Sequence, residues 1–245
     1  IGPLLAWRRT SKQAFVRNFT LPILTGLIVF IACFFLEIRN TTLVSFPLVG
    51  FVLTAILTEF QRGIRSRTAR FNESYYTALK TLISKNRSRY GGYIVHLGIV
   101  FMFIGFSGSA FDSELEFALK KGEVKEFDGY NFELVSIKPV ERPNHMAWIA
   151  ALNVWNIQHQ LVTTLFPEKR VYFHRDPNPD KRQPHSELDI HTTLNKDIYS
   201  IFSGIDTDQQ IAYLKIMINP LVWWVWFGGY VLVFGTMISL WPAKD

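Results

Sequence analysis

The chain contains four long blocks of apolar residues, and between the third and the fourth block the pattern changes to alternating apolar and polar positions. A helix needs about 18 or more consecutive apolar residues to cross the hydrocarbon core of a bilayer. The blocks that approach or exceed this length are Phe19–Leu36, Leu43–Phe60, Gly91–Phe111 and Pro220–Leu240. The pattern therefore predicts four transmembrane helices. The second block is the least certain in composition, because it contains Pro47 and Glu59, but proline is tolerated in membrane helices.

Residues 112–215 show the alternation that is typical of short antiparallel strands. The predicted strands are Leu115–Leu119, Glu123–Phe127, Tyr130–Val140, Met146–Val154, His159–Phe166, Val171–Phe173, Leu188–Thr192, Ile198–Ser203 and Ile211–Ile218. Lys121-Gly122 and Asp128-Gly129 predict two tight turns. The stretch "HRDPNPDKRQPHSELDI" is rich in Pro, Asp and Asn and predicts a mobile loop. We expect a small antiparallel β domain, a barrel or a sandwich.

The net formal charge of +6 is distributed unevenly. Residues 112–215 hold 12 Lys and Arg against 16 Asp and Glu, a net charge of −4, which leaves +10 for the rest of the chain. The basic residues precede the first apolar block and fill the segment between the second and the third. By the positive-inside rule both segments are expected in the cytoplasm, which places the acidic β domain outside.

The basic segment 62–90 suggests nucleic acid at first sight, but no recognition module accompanies it, and we expect no nucleic-acid partner. Within it, Asn72–Ser84 predicts an amphipathic helix that lies along the membrane surface, with Tyr75, Leu79 and Leu82 on one side. Cys33 is the only cysteine, which excludes a disulfide within the chain and a cysteine-based metal site. The sequence starts at Ile1 without Met, and we expect a fragment of a longer protein.

The third block, "RYGGYIVHLGIVFMFIGFSGSAF", contains one imidazole, that of His96. At a rise of about 1.5 Å per residue it lies roughly 8 Å beyond Gly91, inside the hydrocarbon. Ionisable groups at that depth are costly and usually face the interior of a helix bundle. The residues expected on its face are Gly92, Ile99, Val100, Phe103 and Ser107. A hydrogen bond to another helix, a proton relay and haem ligation are the three interpretations. The relay is disfavoured because none of the four blocks offers a second carboxylate or histidine deep in the membrane, and the other two interpretations stay open.

Small and aromatic residues of the last two blocks predict how their helices are arranged. Gly91, Gly98 and Gly105 form a stripe that favours the close approach of another helix, as Gly228, Gly229 and Gly235 do in the last block. Trp223, Trp224 and Trp226 predict an aromatic belt at the outer membrane boundary.

Three histidines of the β domain, His174, His185 and His191, lie 11 and 6 residues apart without a cysteine partner. This spacing favours solvated loop residues over a metal site. Contact with an external ligand or a partner protein is the alternative.

Five stretches, in order, resemble the carboxy-terminal part of CcmF, the membrane haem-lyase component of the cytochrome c maturation system. They are "IGPLLAWRR", "RYGGYIVHLGIVFMFIGFSGSAF", "PEKRVYF", "HSELDIHTTLNKDIYSIF" and "NPLVWWVWFGGYVLVFG", and the resemblance covers essentially the whole chain. In that family the histidine of the "HLG" crossing is an axial ligand of a structural b-type haem, and the matching residue here is His96. The resemblance thus implies haem b as cofactor and His96 as the residue that binds its iron.

The family also has a tryptophan-rich "WWD" segment, flanked by histidines, that holds the haem to be delivered. That segment is missing here, because Trp223-Trp224 is followed by Val225 and lies in the last crossing. The second ligand of the b haem sits on an earlier helix of the family. We therefore expect a fragment or one subunit of a split protein, and no catalytic residue in this chain.

The resemblance implies a part in the covalent attachment of haem to apocytochrome c at the periplasmic face of a bacterial inner membrane. The expected partners are other subunits of the maturation machinery, a haem chaperone and apocytochrome c, together with the lipid bilayer. The alternatives are a non-enzymatic membrane anchor that displays a β domain for protein binding and, less favoured, a transporter, for which no repeat is seen.

The predicted organisation is a cytoplasmic segment (1–18), two transmembrane helices (19–61), a basic cytoplasmic loop (62–90), a transmembrane helix with His96 (91–111), a periplasmic β domain (112–217), a transmembrane helix (218–241) and a cytoplasmic tail (242–245).

Overall fold

The computed structural model describes residues 12–38, 41–173 and 183–242. The chain divides into a helical unit, residues 1–110 and 221–245, and a β unit, residues 111–220. The helices are α1 (Lys12–Phe35), α2 (Thr42–Phe71), α3 (Tyr75–Lys85), α4 (Arg87–Ser107, followed by a 3₁₀ turn over Gly108–Phe111) and α5 (Val222–Leu240). In the described part of the chain, α1, α2, α4 and α5 are long and apolar enough to cross a membrane. The prediction of four membrane helices is confirmed.

Helix α2 extends well beyond the apolar block that predicts it. It continues through the arginine-rich stretch to Phe71 and ends where Asn72 adopts a left-handed conformation, with φ of 52°. The segment 62–90, which was predicted as a basic connection between two membrane helices, consists of the end of α2, a short turn, α3 and the start of α4. Arginine and glutamine favour helix when no other pattern opposes it. An ion pair of 2.6 Å between Arg67 and Glu73 joins the end of α2 to the turn.

Helix α3 is present as expected, but its buried face differs from the prediction. Ser74 caps its first turn, because the hydroxyl accepts a hydrogen bond of 3.3 Å from the amide of Thr77. Ala78 and Leu82, one turn apart, are the buried residues of the helix. Tyr75, which the pattern assigned to the same face as Leu82, is exposed.

The glycine stripe of α4 lies against α5, which confirms that it allows another helix to approach closely. A Cβ atom at Gly98 would lie 2.6 Å from the backbone nitrogen of Leu232 and 2.7 Å from the carbonyl oxygen of Gly228. A Cβ at Gly235 would lie 2.6 Å from the nitrogen of Val95. Backbone atoms cannot move aside as a side chain can, so α4 and α5 pack backbone to backbone.

Aromatic rings extend the α4–α5 contact. The ring of Trp223 stacks on Phe227 at 5.1 Å, and that of Trp224 lies 5.6 Å from Phe101 of α4. Of the three tryptophans assigned to the membrane boundary, Trp226 is exposed. The other two, Trp223 and Trp224, therefore pack against aromatic rings of the helical unit.

The β unit is a sandwich of two antiparallel sheets. Its strands are β1 (Ser113–Lys120), β2 (Val124–Phe127), β3 (Tyr130–Arg142), β4 (His145–Asn156), β5 (Leu161–Leu165), β6 (Glu168–Tyr172), β7 (His185–Glu187), β8 (Asp189–Thr192), β9 (Lys196–Asp206) and β10 (Ile211–Pro220). One sheet has the order β1-β10-β9-β8, the other β2-β3-β4-β6-β7, with β5 also paired to β4. Fully buried apolar residues of both sheets, such as Phe132 and Phe202, form one core. The expected β domain is confirmed, as a sandwich.

Two local predictions in the β unit have different outcomes. The turn between β2 and β3 has positive φ at Asp128 (48°) and Gly129 (77°), as the Asp-Gly pair predicts for a two-residue hairpin. The predicted mobile loop is wrong in part, because His185–Glu187 forms β7 and pairs with β6. Residues 174–182 of that segment lie outside the described residues.

Candidate functional site

His96 lies beside an apolar groove between α2 and α4. The side chain of His96 is exposed. The residues of α4 that pack most closely against α5 are the glycines of the stripe, on a different side of α4 from His96. The groove has a volume of about 230 Å³. Its walls are Ser45, Leu48, Val49 and Val52 of α2 and His96, Ile99, Val100 and Phe103 of α4. Three of the residues that the helical periodicity places on the face of His96, namely Ile99, Val100 and Phe103, are therefore in the groove with it.

The imidazole makes its hydrogen bond within its own helix. Its Nδ1 atom lies 2.7 Å from the carbonyl oxygen of Gly92, one turn earlier. A carbonyl oxygen can only accept, so Nδ1 carries the proton and Nε2 of the neutral ring keeps its lone pair. Metal-binding histidines commonly use this arrangement, in which one nitrogen donates to a carbonyl and the other binds the metal. In the part of the chain that the structure describes, the ring forms no hydrogen bond to another helix.

Two polar contacts hold the groove at its opposite ends. At one end the hydroxyl oxygens of Ser45 and Ser107 lie 2.6 Å apart, and Thr42 donates to the carbonyl of Ser107 at 3.3 Å. The start of α2 thus meets the end of α4. Ser107, which was predicted on the face of His96, therefore contacts α2 and does not line the groove.

At the other end the carboxylate of Glu59 ties α2 to the start of α4. Its side chain is only 11% exposed and accepts from Arg89 at 2.7 Å and from Arg62 at 3.3 Å. Tyr93 also donates to it, at 3.4 Å. The sequence pattern missed this cluster, because Glu59 and Arg89 are separated by 30 residues and nothing local signals their contact.

The groove is small for a complete ligand site. Pockets that enclose a small molecule measure about 300–1,000 Å³. With about 230 Å³ and an exposed imidazole, the described residues of α2 and α4 supply a small apolar groove and one donor atom. The observed atoms fit an axial ligand of haem iron, since Nε2 is available and the wall is apolar.

His185 and His191 lie in different sheets of the β unit. His185 lies in β7, where its ring packs edge-on against Tyr172 at 5.9 Å, whereas His191 lies in β8 of the other sheet. His174 lies outside the described residues. Among the described residues no group of three or more His, Cys, Asp or Glu side chains could hold a metal ion.

The sequence pattern also missed His145, which begins β4. It is 5% exposed, its Nδ1 lies 2.7 Å from the side-chain oxygen of Asn144, and its ring is 5.1 Å from that of Tyr172. Within the described residues its Nε2 has no hydrogen-bond partner. The sequence pattern does not distinguish a buried histidine at the start of an apolar strand from an exposed histidine at the same position.

A second buried polar group of the β unit is Asp197 of β9, which is 3% exposed. Burial raises the pKa of its carboxyl group, although hydrogen bonds from Thr192 and Thr193 act in the opposite direction. Its Oδ1 atom has no hydrogen-bond partner in the described part of the chain. Tyr199 also forms a hydrogen bond with this carboxylate, and the charge of His191 acts on it. We expect the carboxylate to affect stability, since it joins polar groups of β8 and β9.

Comparison with known proteins connects both units to one family. Residues 110–220 match the family model described as the CcmF C-terminal beta-sandwich. The chain is 26% identical to the cytochrome c-type biogenesis protein ccl1 of Rhodobacter capsulatus, over 98% of this chain and 34% of that protein. It is 25% identical to the cytochrome c-type biogenesis protein CcmF of Pseudomonas aeruginosa, again over 98% of this chain and 34% of the relative.

A solved structure named cytochrome c heme lyase CcmF has the same fold. It matches with a TM-score of 0.69 and 20% identity, over 98% of this chain and 37% of that one. The chain thus spans about a third of the length of the curated relatives it matches. These relatives are proteins of cytochrome c biogenesis, and the matched family domain covers the whole β unit. The β unit therefore matches the CcmF C-terminal beta-sandwich, and the chain as a whole is similar to the carboxy-terminal part of CcmF.

Proposed function

We propose that this chain is part of a cytochrome c haem lyase, in which His96 is an axial ligand of a haem b and the β unit docks partner proteins. The lyase attaches haem covalently to apocytochrome c at the periplasmic face of a bacterial inner membrane. The observation that carries the proposal is the hydrogen bond of 2.7 Å from Nδ1 of His96 to Gly92, which leaves Nε2 free to bind iron.

The residues of this chain hold and insulate the proposed haem. Nε2 of His96 would hold the iron, and the carbonyl of Gly92 keeps the proton on Nδ1, so that the lone pair stays on Nε2. Ile99 and Phe103 line the same groove and would give a bound haem an apolar surrounding. When bound, the haem supplies a one-electron carrier that can help to reduce the incoming haem.

The attachment reaction adds two cysteine thiols of a Cys-x-x-Cys-His motif across the two vinyl groups of the delivered haem. Each S–H bond is replaced by an S–C and a C–H bond, so the addition itself requires no net oxidant. Incoming haem and substrate thiols carry this chemistry, and we assign no catalytic side chain to this chain. Other subunits of the maturation machinery, a haem chaperone and apocytochrome c are the proposed partners of the β unit.

The second half of the haem site is proposed to come from outside this chain. The groove between α2 and α4 is small, and His96 is the only histidine of the described membrane helices. The family relatives are about three times as long as the match, which leaves room for further helices with the opposite ligand.

The absorption spectrum of the purified full-length protein tests the ligand. We expect a b-type Soret band in the wild type that His96→Ala weakens or abolishes, because the iron loses one axial bond. His191→Ala, which changes a histidine of the β unit, is the control and is expected to keep the band. An unchanged band in His96→Ala, or a loss in His191→Ala alone, would refute the assignment.

A further inference from the structure

A second groove of the helical unit lies among α3, α4 and α5. Its volume is about 660 Å³, within the range of complete small-molecule pockets. It shares no residue with the groove beside His96. The residues that line it are Lys80, Ile83, Ser84, Arg87, Ile94, Phe234, Met237, Ile238 and Trp241.

One side of this groove carries two cations without a carboxylate partner. The guanidinium of Arg87 donates to the carbonyl oxygens of Ser84, at 3.1 Å, and of Pro242. Neither Lys80 nor Arg87 forms an ion pair within the described ranges 12–38, 41–173 and 183–242. Among the described residues, no carboxylate therefore neutralises either positive charge at the groove.

Three of the eight cations of residues 62–90 are neutralised by carboxylates, and of the other five only Lys80 and Arg87 line the groove. Glu59 pairs with Arg62 and Arg89, and Glu73 pairs with Arg67. Residues 62–90 contain eight Lys and Arg but only one acidic residue, Glu73. The local carboxylates are thus already engaged, and a ligand at Lys80 and Arg87 has to bring its own negative charge.

The rest of the groove is apolar and accessible. Phe234 and Met237 of α5 are both 60% exposed, and Trp241 just beyond α5 is 63% exposed. Ile83 and Ile94 add aliphatic surface from α3 and α4. A strip of exposed apolar side chains that runs from two cations along a membrane helix matches a ligand with a hydrocarbon chain and an anionic head.

We propose that this groove binds an anionic phospholipid, with its phosphate at Lys80 and Arg87 and an acyl chain along Phe234 and Met237. Ammonium and guanidinium groups form charge-assisted hydrogen bonds to phosphate, and basic pockets between membrane helices are typical sites for anionic head groups. The inference is independent of the proposed haem site, because the two grooves share no residue.

Native mass spectrometry of the full-length protein tests the site. The protein is delipidated in detergent and incubated with equal amounts of phosphatidylglycerol and zwitterionic phosphatidylcholine. We compare the wild type with Lys80→Gln/Arg87→Gln and with the control Arg65→Gln/Lys85→Gln. The control removes the same total charge from exposed cations of the same basic segment that do not line the groove.

We expect the wild type to retain phosphatidylglycerol preferentially, and Lys80→Gln/Arg87→Gln to lose roughly tenfold or more in affinity for it, since each cation contributes to head-group binding. The control pair is expected to keep the preference. Three results would overturn the proposal: equal losses in both double variants, which indicate diffuse surface charge; equal retention of the two lipids by the wild type; or no retained lipid, as when another helix of the full-length protein covers the groove.

Discussion

The hydrogen bond between Nδ1 of His96 and the carbonyl of Gly92 determines which chemistry is open to this imidazole. A histidine in hydrocarbon has to satisfy its N–H donor, and here the preceding helical turn does so at 2.7 Å. The lone pair of Nε2 is then left for a ligand rather than for a neighbouring helix of the described unit. By contrast, the carboxylate of Glu59 is engaged by Arg62, Arg89 and Tyr93, so it fastens two helices together.

Asp197 in the β unit gives a prediction on pH. Burial raises the pKa of this carboxyl above its value in the unfolded chain. Its contribution to stability is therefore fully present below the unfolded pKa and is lost as the pH rises through the folded pKa. We expect Asp197→Asn to gain in unfolding temperature relative to the wild type as the pH is raised from about 4 to about 8.

Thermal unfolding of the protein in detergent, followed by β-sheet circular dichroism at several pH values, measures this difference. Asp208→Asn, a change of an exposed carboxylate after β9, is the control and is expected to show no such trend. A difference between Asp197→Asn and the wild type that does not change with pH would contradict the account.

At the scale of the elements, the contact between α4 and α5 depends on the absence of side chains at a few positions. A Cβ atom added at Gly98 would lie 2.6 and 2.7 Å from backbone atoms of α5, whereas one added at Gly229 would have no heavy atom within 4 Å. The same chemical change at these two glycines therefore meets different surroundings. Overpacking of this kind costs about 1–3 kcal/mol.

We expect Gly98→Ala to lower the unfolding temperature of the helical unit and to weaken the packing of Trp224 on Phe101. Gly229→Ala is the matched control and should be neutral or slightly stabilising, because alanine favours helix over glycine. Thermal unfolding followed by tryptophan fluorescence measures both variants. Equal unfolding temperatures for the two variants would show that the helices do not approach as closely as described.

The apolar blocks and the alternating strands could be predicted because their signals are local. Membrane helices need long apolar runs, and the sandwich strands alternate between core and solvent. The extension of α2 to Phe71 was missed because a charged helix end has no apolar period, and β7 was missed because three polar residues pair only through a neighbouring strand.

The candidate site was predictable only in part for the same reason. A lone histidine in an apolar run is visible in the sequence, and its helical neighbours follow from the period of α4. The α2 wall of the groove and the contact of Glu59 with Arg89 depend on which helices become neighbours in space. His145 is buried by Tyr172, which is 27 residues away in the chain.

At the scale of the whole molecule, the charge distribution predicts on which side of the membrane each unit lies. The segment 62–90 carries eight basic residues, and residues 112–215 have a net charge of −4. The positive-inside rule then places the first in the cytoplasm and the β unit in the periplasm. The proposed function requires this arrangement, because in that proposal haem is attached on the periplasmic side.

Cysteine labelling checks the sidedness, and the chain is suited to it because buried Cys33 is its only cysteine. In a Cys33→Ala background we expect Asp208→Cys to react with a membrane-impermeant maleimide in intact spheroplasts. Ser66→Cys, near the basic end of α2, is expected to react only after lysis. Both positions are exposed, so the reverse pattern would contradict the topology rather than reflect burial.

The most direct test of the central claim is ligand rescue at His96 in the full-length protein. In His96→Gly the space of the imidazole is vacated, and the account predicts that the b-type haem spectrum is lost and then restored by excess free imidazole, which supplies the missing nitrogen to the iron. A spectrum that His96→Gly leaves unchanged, or one that is lost and that imidazole does not restore, would contradict the assignment of His96 as the haem ligand.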